Sequence, residues 1–208
     1  MNTAKPSAGR FHRRGFLCAL GATASVPLLS GCAGRGYEEL PSPRRPGTRL
    51  DIVFPRGDSY LDITNAHTGE RVALRFMDRG RTDRRALRRL DWLFRDWRDG
   101  ETPDIDERLY WSLAALSDAA RRQGHSGQIT LLSGFRTSRT TRLLQSRGSG
   151  ASSNSYHMRR RAADIQFDGI PTDQVSDMAE WLQVGGVGRY YGSEFTHIDT
   201  GPIRTWRG

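Results

Sequence analysis

Residues 153–167 read SNSYHMRRRAADIQF: a serine-rich lead-in, one histidine, three arginines and a short alternating run. RAADIQF (161–167) has the period of a β-strand, so Asp164 shares a face with Ala162 and Gln166. Six residues separate His157 from Asp164, so a loop histidine can fold back over a strand aspartate. A second run, EFTHIDT (194–200), has the same period and sets His197 and Asp199 on one face. If these two strands are neighbours, Asp164 and His197 aim at one point and His157 lies over it. That pairing decides the fold expected for the chain.

Outward from this stretch, YLDITNAHTGERVALRF (60–76) predicts two strands around an Asn/His/Thr/Gly turn, with His67 and, further on, His125 in turns as structural residues. RLDIVF (49–54) predicts an earlier strand. Leu87, Leu90, Leu93, Phe94 and Trp97 recur at helical spacing, predicting a helix from Thr82 to about Trp97. A second helix is expected from Ile105 to Arg122, ending at Gln123-Gly124, followed by a strand in GQITLLSGF (127–135). RTSRTTRLLQSRGSGASSNS (136–155) is polar and weakly periodic and reads as a long loop. PTDQVSDMAEWLQV (171–184) reads as a helix capped by Thr172 or Asp173, and GGVGRYY (185–191) as a turn and strand. Strands and helices do not alternate as in a doubly wound parallel sheet. The expected class is α+β, a single domain with a central antiparallel sheet flanked by helices.

Charge and cysteine usage narrow the function classes. The formal net charge is +9, with 32 basic and 23 acidic residues, and Lys5 is the only lysine. Residues 1–32 carry four of the basic residues and no acid, which leaves +5 for the rest. In that remainder the arginines are interleaved with acids, as in RGRTDRRALRRLDWLFRDWRDGE (79–101), the pattern of a solvated helix face rather than of a nucleic-acid groove. Residues 1–32 have the order of an export signal: a charged start, an apolar run from Gly15 to about Leu29, then small residues. Arg13-Arg14 followed by Phe16-Leu17 resembles a twin-arginine signal, although His12 and Cys18 depart from its pattern and leave the general secretory route open. LLSGC (28–32) resembles a lipoprotein processing site, in which a lipidated Cys32 would anchor the protein to a membrane surface of the cell envelope. Residues 33–49, rich in Gly, Pro and charge, read as a linker, and 50–208 as the folded domain. That domain has no cysteine, so a metal there needs His, Asp or Glu.

His157, Asp164 and His197 are the candidate ligands, because a catalytic zinc takes three protein ligands and keeps one position open. Spacing alone is a weak signal, but the neighbours strengthen it. Glu194 stands three residues before His197, and hydrolysis of an amide needs a carboxylate that takes a proton from water and returns it to the leaving amine. Asp199 competes for that role or orients the ligands from behind. Arg136, at the end of a strand, is placed to hold a substrate carboxylate or an oxyanion.

SGFRTS, SYHMRRRAAD and EFTHIDTG occur in the order and spacing of zinc metallopeptidases of the lysostaphin/D-Ala-D-Ala metallopeptidase/hedgehog group. GGVGRYYGSEFTHIDTGPIRTW (185–206) resembles most of all the bacterial murein endopeptidase K branch of that group. The resemblance covers residues 50–208. It implies one zinc ion held by His157, Asp164 and His197, and substrate contacts from Arg136 and Ser155. Glu194 matches the glutamate of the dipeptidase members, and Arg160 stands where related motifs usually have Gly. The implied protein is an exported, periplasmic peptidase acting on peptidoglycan stem peptides or their cross-links. A non-catalytic peptidoglycan-binding lipoprotein of the same fold is the competing class, and an arginine-rich adaptor for an anionic polymer is a third.

Overall fold

The structure, a computed structural model, describes residues 49, 59–78 and 81–208. The expected export signal with Cys32, the linker up to residue 48 and the strand predicted in RLDIVF (Arg49 apart) lie outside the described residues. Among the described residues the chain forms β1 (Tyr60–Asn65), β2 (Arg71–Arg75), β3 (Met77–Asp78), β4 (Arg81–Thr82), α1 (Arg84–Leu93) and α2 (Glu107–Arg122). After these come β5 (Ile129–Ser133), α3 (Ser138–Ser146), β6 (Ala162–Phe167), α4 (Thr172–Leu182), β7 (Gly186–Tyr190), β8 (Phe195–Asp199) and β9 (Arg204–Arg207). Seven strands make one sheet in the order β2-β1-β5-β6-β8-β7-β9, and β3 pairs with β4 beside it.

The α+β class stands, and the sheet is mixed. Four of the six pairings in the large sheet are antiparallel, while β1/β5 and β7/β9 are parallel. The first parallel pair follows from α1 and α2, which form a crossover between β2 and β5 and let the chain re-enter beside β1 in the same direction. β9 adds on the far side of β7 and runs parallel to it.

The period of two sorts the sheet into unlike faces. Leu61, Ile63, Ile129, Leu131, Ala163, Ile165, Val187 and Ile198 are buried on one face, against which α2 and α4 pack. The other face carries Thr130, Asp164, Gln166, His197 and Gly188, placed together by the cross-strand register. A register shift between Leu131 and Ser133 sets Ser133 opposite Asp164, a bulge at the edge of that polar face.

α1 is shorter than its apolar spacing predicts. Asp83 caps its start by accepting from the amides of Arg85 and Ala86. Its continuation is diverted because the Asp96 carboxylate takes the Arg98 amide at 3.2 Å, a local bond that competes with the helix. Conversely, part of the expected loop is α3. The Thr137 hydroxyl caps it by accepting from Thr140 N at 3.1 Å, and Thr140 and Thr141 are buried, so a Thr/Ser/Arg composition conceals a helix. α4 begins at Thr172, but Pro171 takes the cap position with no side-chain cap.

Asp106, the cap of α2, ties three separate segments. Its carboxylate accepts from Arg108 Nη2 at 2.6 Å and from the Thr200 hydroxyl at 2.7 Å, and pairs with Arg161 Nε at 3.3 Å. Arg161 in turn donates to the Thr200 hydroxyl and carbonyl. The loop before β6 and the end of β8 are therefore locked to one helix N-terminus. Burial raises the Asp106 carboxyl, but Arg108 and Thr200 outweigh it and hold the group below the ordinary value. A depressed carboxyl contributes stability above its unfolded value and loses it as pH falls. Asp106→Ala is expected to cost about 2–4 kcal/mol at pH 7 in urea unfolding, through the lost cap and the stranded Arg161, with the deficit shrinking in acid.

Candidate metal centre

β6 and β8 are antiparallel neighbours, and Asp164 lies directly opposite His197. The loop ahead of β6 carries His157 over them. Its amide donates to the Ser155 hydroxyl at 3.3 Å, and its carbonyl accepts from Arg160 N at 3.2 Å and Arg136 N at 3.4 Å. The turn needs a left-handed residue at Arg160 (φ 62°), which explains why a glycine suits that position. Arg161, third of the arginine triplet, belongs to the Asp106 network, whereas Arg159 and Arg160 are exposed.

Three atoms converge. His157 Nε2 lies 3.2 Å from Asp164 Oδ1 and 3.2 Å from His197 Nδ1, and His197 Nδ1 lies 2.7 Å from Asp164 Oδ1. All three residues are buried. The far side of each ring is already committed. His157 Nδ1 meets the Gly134 carbonyl at 2.6 Å, an acceptor only, so that nitrogen carries the proton and Nε2 keeps a lone pair. His197 Nε2 meets Asp199 Oδ2 at 3.1 Å, which likewise leaves Nδ1 as the lone-pair nitrogen. Two imidazole lone pairs and a carboxylate oxygen packed together repel unless positive charge sits among them. A zinc ion with bonds of about 2.0–2.1 Å spaces tetrahedral ligands about 3.3 Å apart, close to the two 3.2 Å edges of this triangle and wider than the 2.7 Å edge. The donor set fits one zinc ion.

The charges agree. Burial alone would raise Asp164, but His157 and His197 hold it far below the usual carboxylate range. Burial lowers His157, with Asp164 opposing; burial also lowers His197, but Asp164 and Asp199 outweigh it and leave that ring raised. A metal ion entering here displaces a proton from His197.

Asp199 sits behind His197 and is itself fully engaged. Its oxygens accept from Gly186 N (3.0 Å), Gly201 N (2.7 Å), Arg204 Nη1 (3.1 Å) and Arg204 Nη2 (2.7 Å) besides His197. A Cβ at Gly186 would lie 2.6 Å from Asp199 Oδ2, so the close approach requires glycine. Burial raises Asp199, and His197 and Arg204 more than offset it. Trp206 closes the flank, its ring 5.1 Å from that of His197 and its Nε1 donating to Tyr190 Oη at 3.1 Å. Arg204 and Trp206 carry no local signal of a role at the site; only their place on an edge strand beside β7 brings them to Asp199 and His197.

The remaining candidates scatter more. Arg136 is half-buried and its Nε is enclosed without a partner; burial lowers its basicity while the charge of Asp164 opposes. The Ser155 hydroxyl faces the His157 amide. Glu194 is exposed, has φ 54°, and accepts from Gln166 Nε2 at 3.0 Å through its carbonyl. Gln166 is two residues beyond Asp164 on the same face, so the Glu194 backbone is tied to the polar face of the sheet through Gln166.

The family described as peptidoglycan L,D-endopeptidase MepK matches residues 56–206. The peptidoglycan L,D-endopeptidase MepK of Escherichia coli K12 is 35% identical over 179 residues, covering 86% of this chain and 94% of the relative. The protein named probable peptidoglycan L,D-endopeptidase MepK in Haemophilus influenzae is 32% identical over 163 residues, covering 78% and 87%. No solved structure matches. The chain belongs to the peptidoglycan L,D-endopeptidase MepK family.

Asp199→Asn is expected to weaken zinc binding about 10–100-fold in chelator competition while the domain stays folded. Zinc affinity of the unsubstituted protein should also fall as pH drops through the histidine range, because His197 holds its proton more tightly than a free imidazole. Wild-type affinity in Asp199→Asn would contradict this geometry.

Proposed function

We propose that this member of the family is a zinc-dependent peptidase of the bacterial cell wall, hydrolysing amide bonds in peptidoglycan stem peptides or their cross-links. The name shared by its relatives, L,D-endopeptidase, points to an amide of L,D type. The observation that carries the reading is the buried convergence of His157 Nε2, Asp164 Oδ1 and His197 Nδ1. A bound zinc ion supplies Lewis acidity for the scissile carbonyl and for water.

The other side chains divide the remaining work. Arg136, an unpaired cation next to Asp164, holds a substrate carboxylate or the oxyanion that develops on the carbonyl. Asp199 fixes the tautomer and orientation of His197, a role supported by its enclosure between two amides and Arg204. Its oxygens are then spent. Glu194, exposed at the entrance to β8, is left as the carboxylate that takes a proton from water and passes it to the leaving amine. Ser155 steadies the His157 loop and borders the cleft.

The address follows from the N-terminal sequence. Residues 1–32 direct export, Cys32 is lipidated at a membrane surface of the envelope, 33–49 form the linker, and 50–208 carry the chemistry. Among the described residues no helix is long and apolar enough to cross a membrane.

The test is digestion of purified muropeptides by the metal-loaded protein with and without a chelator. Chelator-sensitive release of new peptide ends is expected, with His197→Ala losing both metal and turnover. Glu194→Gln should retain metal and lose roughly 100-fold or more in rate, the size of a general-base contribution. Stoichiometric metal without cleavage of any stem peptide would favour a binding protein instead, and near-normal turnover of Glu194→Gln would remove the base assignment.

A further inference from the structure

A second arginine stands next to the site and takes no part in the chemistry above. The segments 94–98 and 135–137 run side by side, joined by Phe135 N to Phe94 O at 2.8 Å. Asp96, which is 1% exposed, clamps them: Oδ1 accepts from Arg98 N at 3.2 Å, while Oδ2 accepts from Thr137 N at 2.9 Å and the Thr137 hydroxyl at 3.1 Å. One buried carboxylate therefore fixes the backbone at Arg98 and at the residue following Arg136. Gly134 allows this approach, since a Cβ there would lie 2.6 Å from Phe94 O.

The Arg98 side chain is also held. Its guanidinium lies 4.2 Å from the Trp97 ring centroid, the Trp97 ring is 5.3 Å from that of His67, and His67 Nε2 contacts the Leu132 carbonyl at 3.0 Å. This stack rests on the β1–β2 turn and on β5, so it pre-orders a cation that would otherwise be free to swing. Among the described residues neither Arg98 nor Arg136 forms an ion pair. Asp99, the next acid in sequence, is taken by Arg139 at 2.8 Å and by Thr137. Arg98 and Arg136 are brought to neighbouring positions by the backbone: the amides of Arg98 and Thr137 share the Asp96 carboxylate, and Phe135 N bonds Phe94 O.

Two guanidinium groups without an acid partner, carried on backbone segments tied through one buried carboxylate, are a seat for an anion. We propose that Arg98 and Arg136 together bind one carboxylate group of the substrate, and that Arg98 sets the preference of the enzyme for a peptide carrying that carboxylate over its neutral amide. The proposal rests on the peptidase reading, which makes the ligand a peptide carboxylate. Arg136 N donates to the carbonyl of the metal ligand His157 at 3.4 Å, so the seat borders the metal centre.

The experiment compares stem peptides that differ in one carboxylate replaced by a carboxamide, cleaved by the zinc-loaded protein and by Arg98→Gln and Arg98→Lys. For one carboxylate position, the wild-type ratio of kcat/KM between acid and amide should fall about three- to tenfold in Arg98→Gln, the worth of one partly exposed charge pair. The loss should sit in KM, zinc content should match wild type, and Arg98→Lys should recover part of the preference. If Arg98→Gln keeps the wild-type ratio at every carboxylate position, or loses kcat for acid and amide alike, the proposal is overturned while the peptidase reading stands. Absence of cleavage by the wild type of all these peptides would sink that reading and this inference with it.

Discussion

A carboxylate buried between two imidazoles needs a positive charge, and the architecture of this domain is arranged around that need. Asp164 is 9% exposed, and the far nitrogen of each ring is engaged by an acceptor behind it, the Gly134 carbonyl for His157 and the Asp199 carboxylate for His197. An isolated buried carboxylate would cost far more than a domain of this size has to spare, so the site holds together only around a cation. A proton on His197 serves in the absence of metal, but it satisfies one of three contacts. Zinc satisfies all of them, and the ligand set of two nitrogens and an oxygen leaves room for substrate or water.

What surrounds the triangle works to hold it. Gly134 contributes a carbonyl to His157, the Asp199 cradle grips His197 from behind, and Asp106 locks the His157 loop and the end of β8 to α2. Each of these supports comes from a different part of the chain, so the metal centre depends on the whole fold, and metal binding in turn stabilises it. The sheet has one face for this purpose and the other for the apolar core. A single pattern, period two along β6 and β8, therefore serves both stability and chemistry.

That pattern is why the ligands could be read from sequence. His157, Asp164 and His197 lie in two short segments whose alternation is strong and whose pairing is local to one sheet, and the α+β class follows from the same runs. Other features rest on contacts distant in sequence. The parallel pairing of β1 with β5 depends on how α1 and α2 cross over the sheet, which no local pattern encodes. α3 is hidden by its Thr/Ser/Arg composition and revealed by a cap and two buried threonines. The enclosure of Asp199 by Gly186, Gly201 and Arg204 depends on how β7 pairs with β8 and β9, which no local pattern encodes. Arg98 is one of many arginines, and only Asp96, placed by the turn after α1, brings it to Arg136.

Zinc-edge X-ray absorption of the purified protein reads out whether two imidazoles and one carboxylate hold a zinc ion. One zinc per chain is expected, in a shell of nitrogen and oxygen ligands at about 2.0–2.1 Å, with two imidazole scattering paths and no sulfur. Asp164→Asn should perturb that shell and weaken retention of the ion. Zinc well below one per chain, or a coordination shell untouched by Asp164→Asn, would contradict this ligand set.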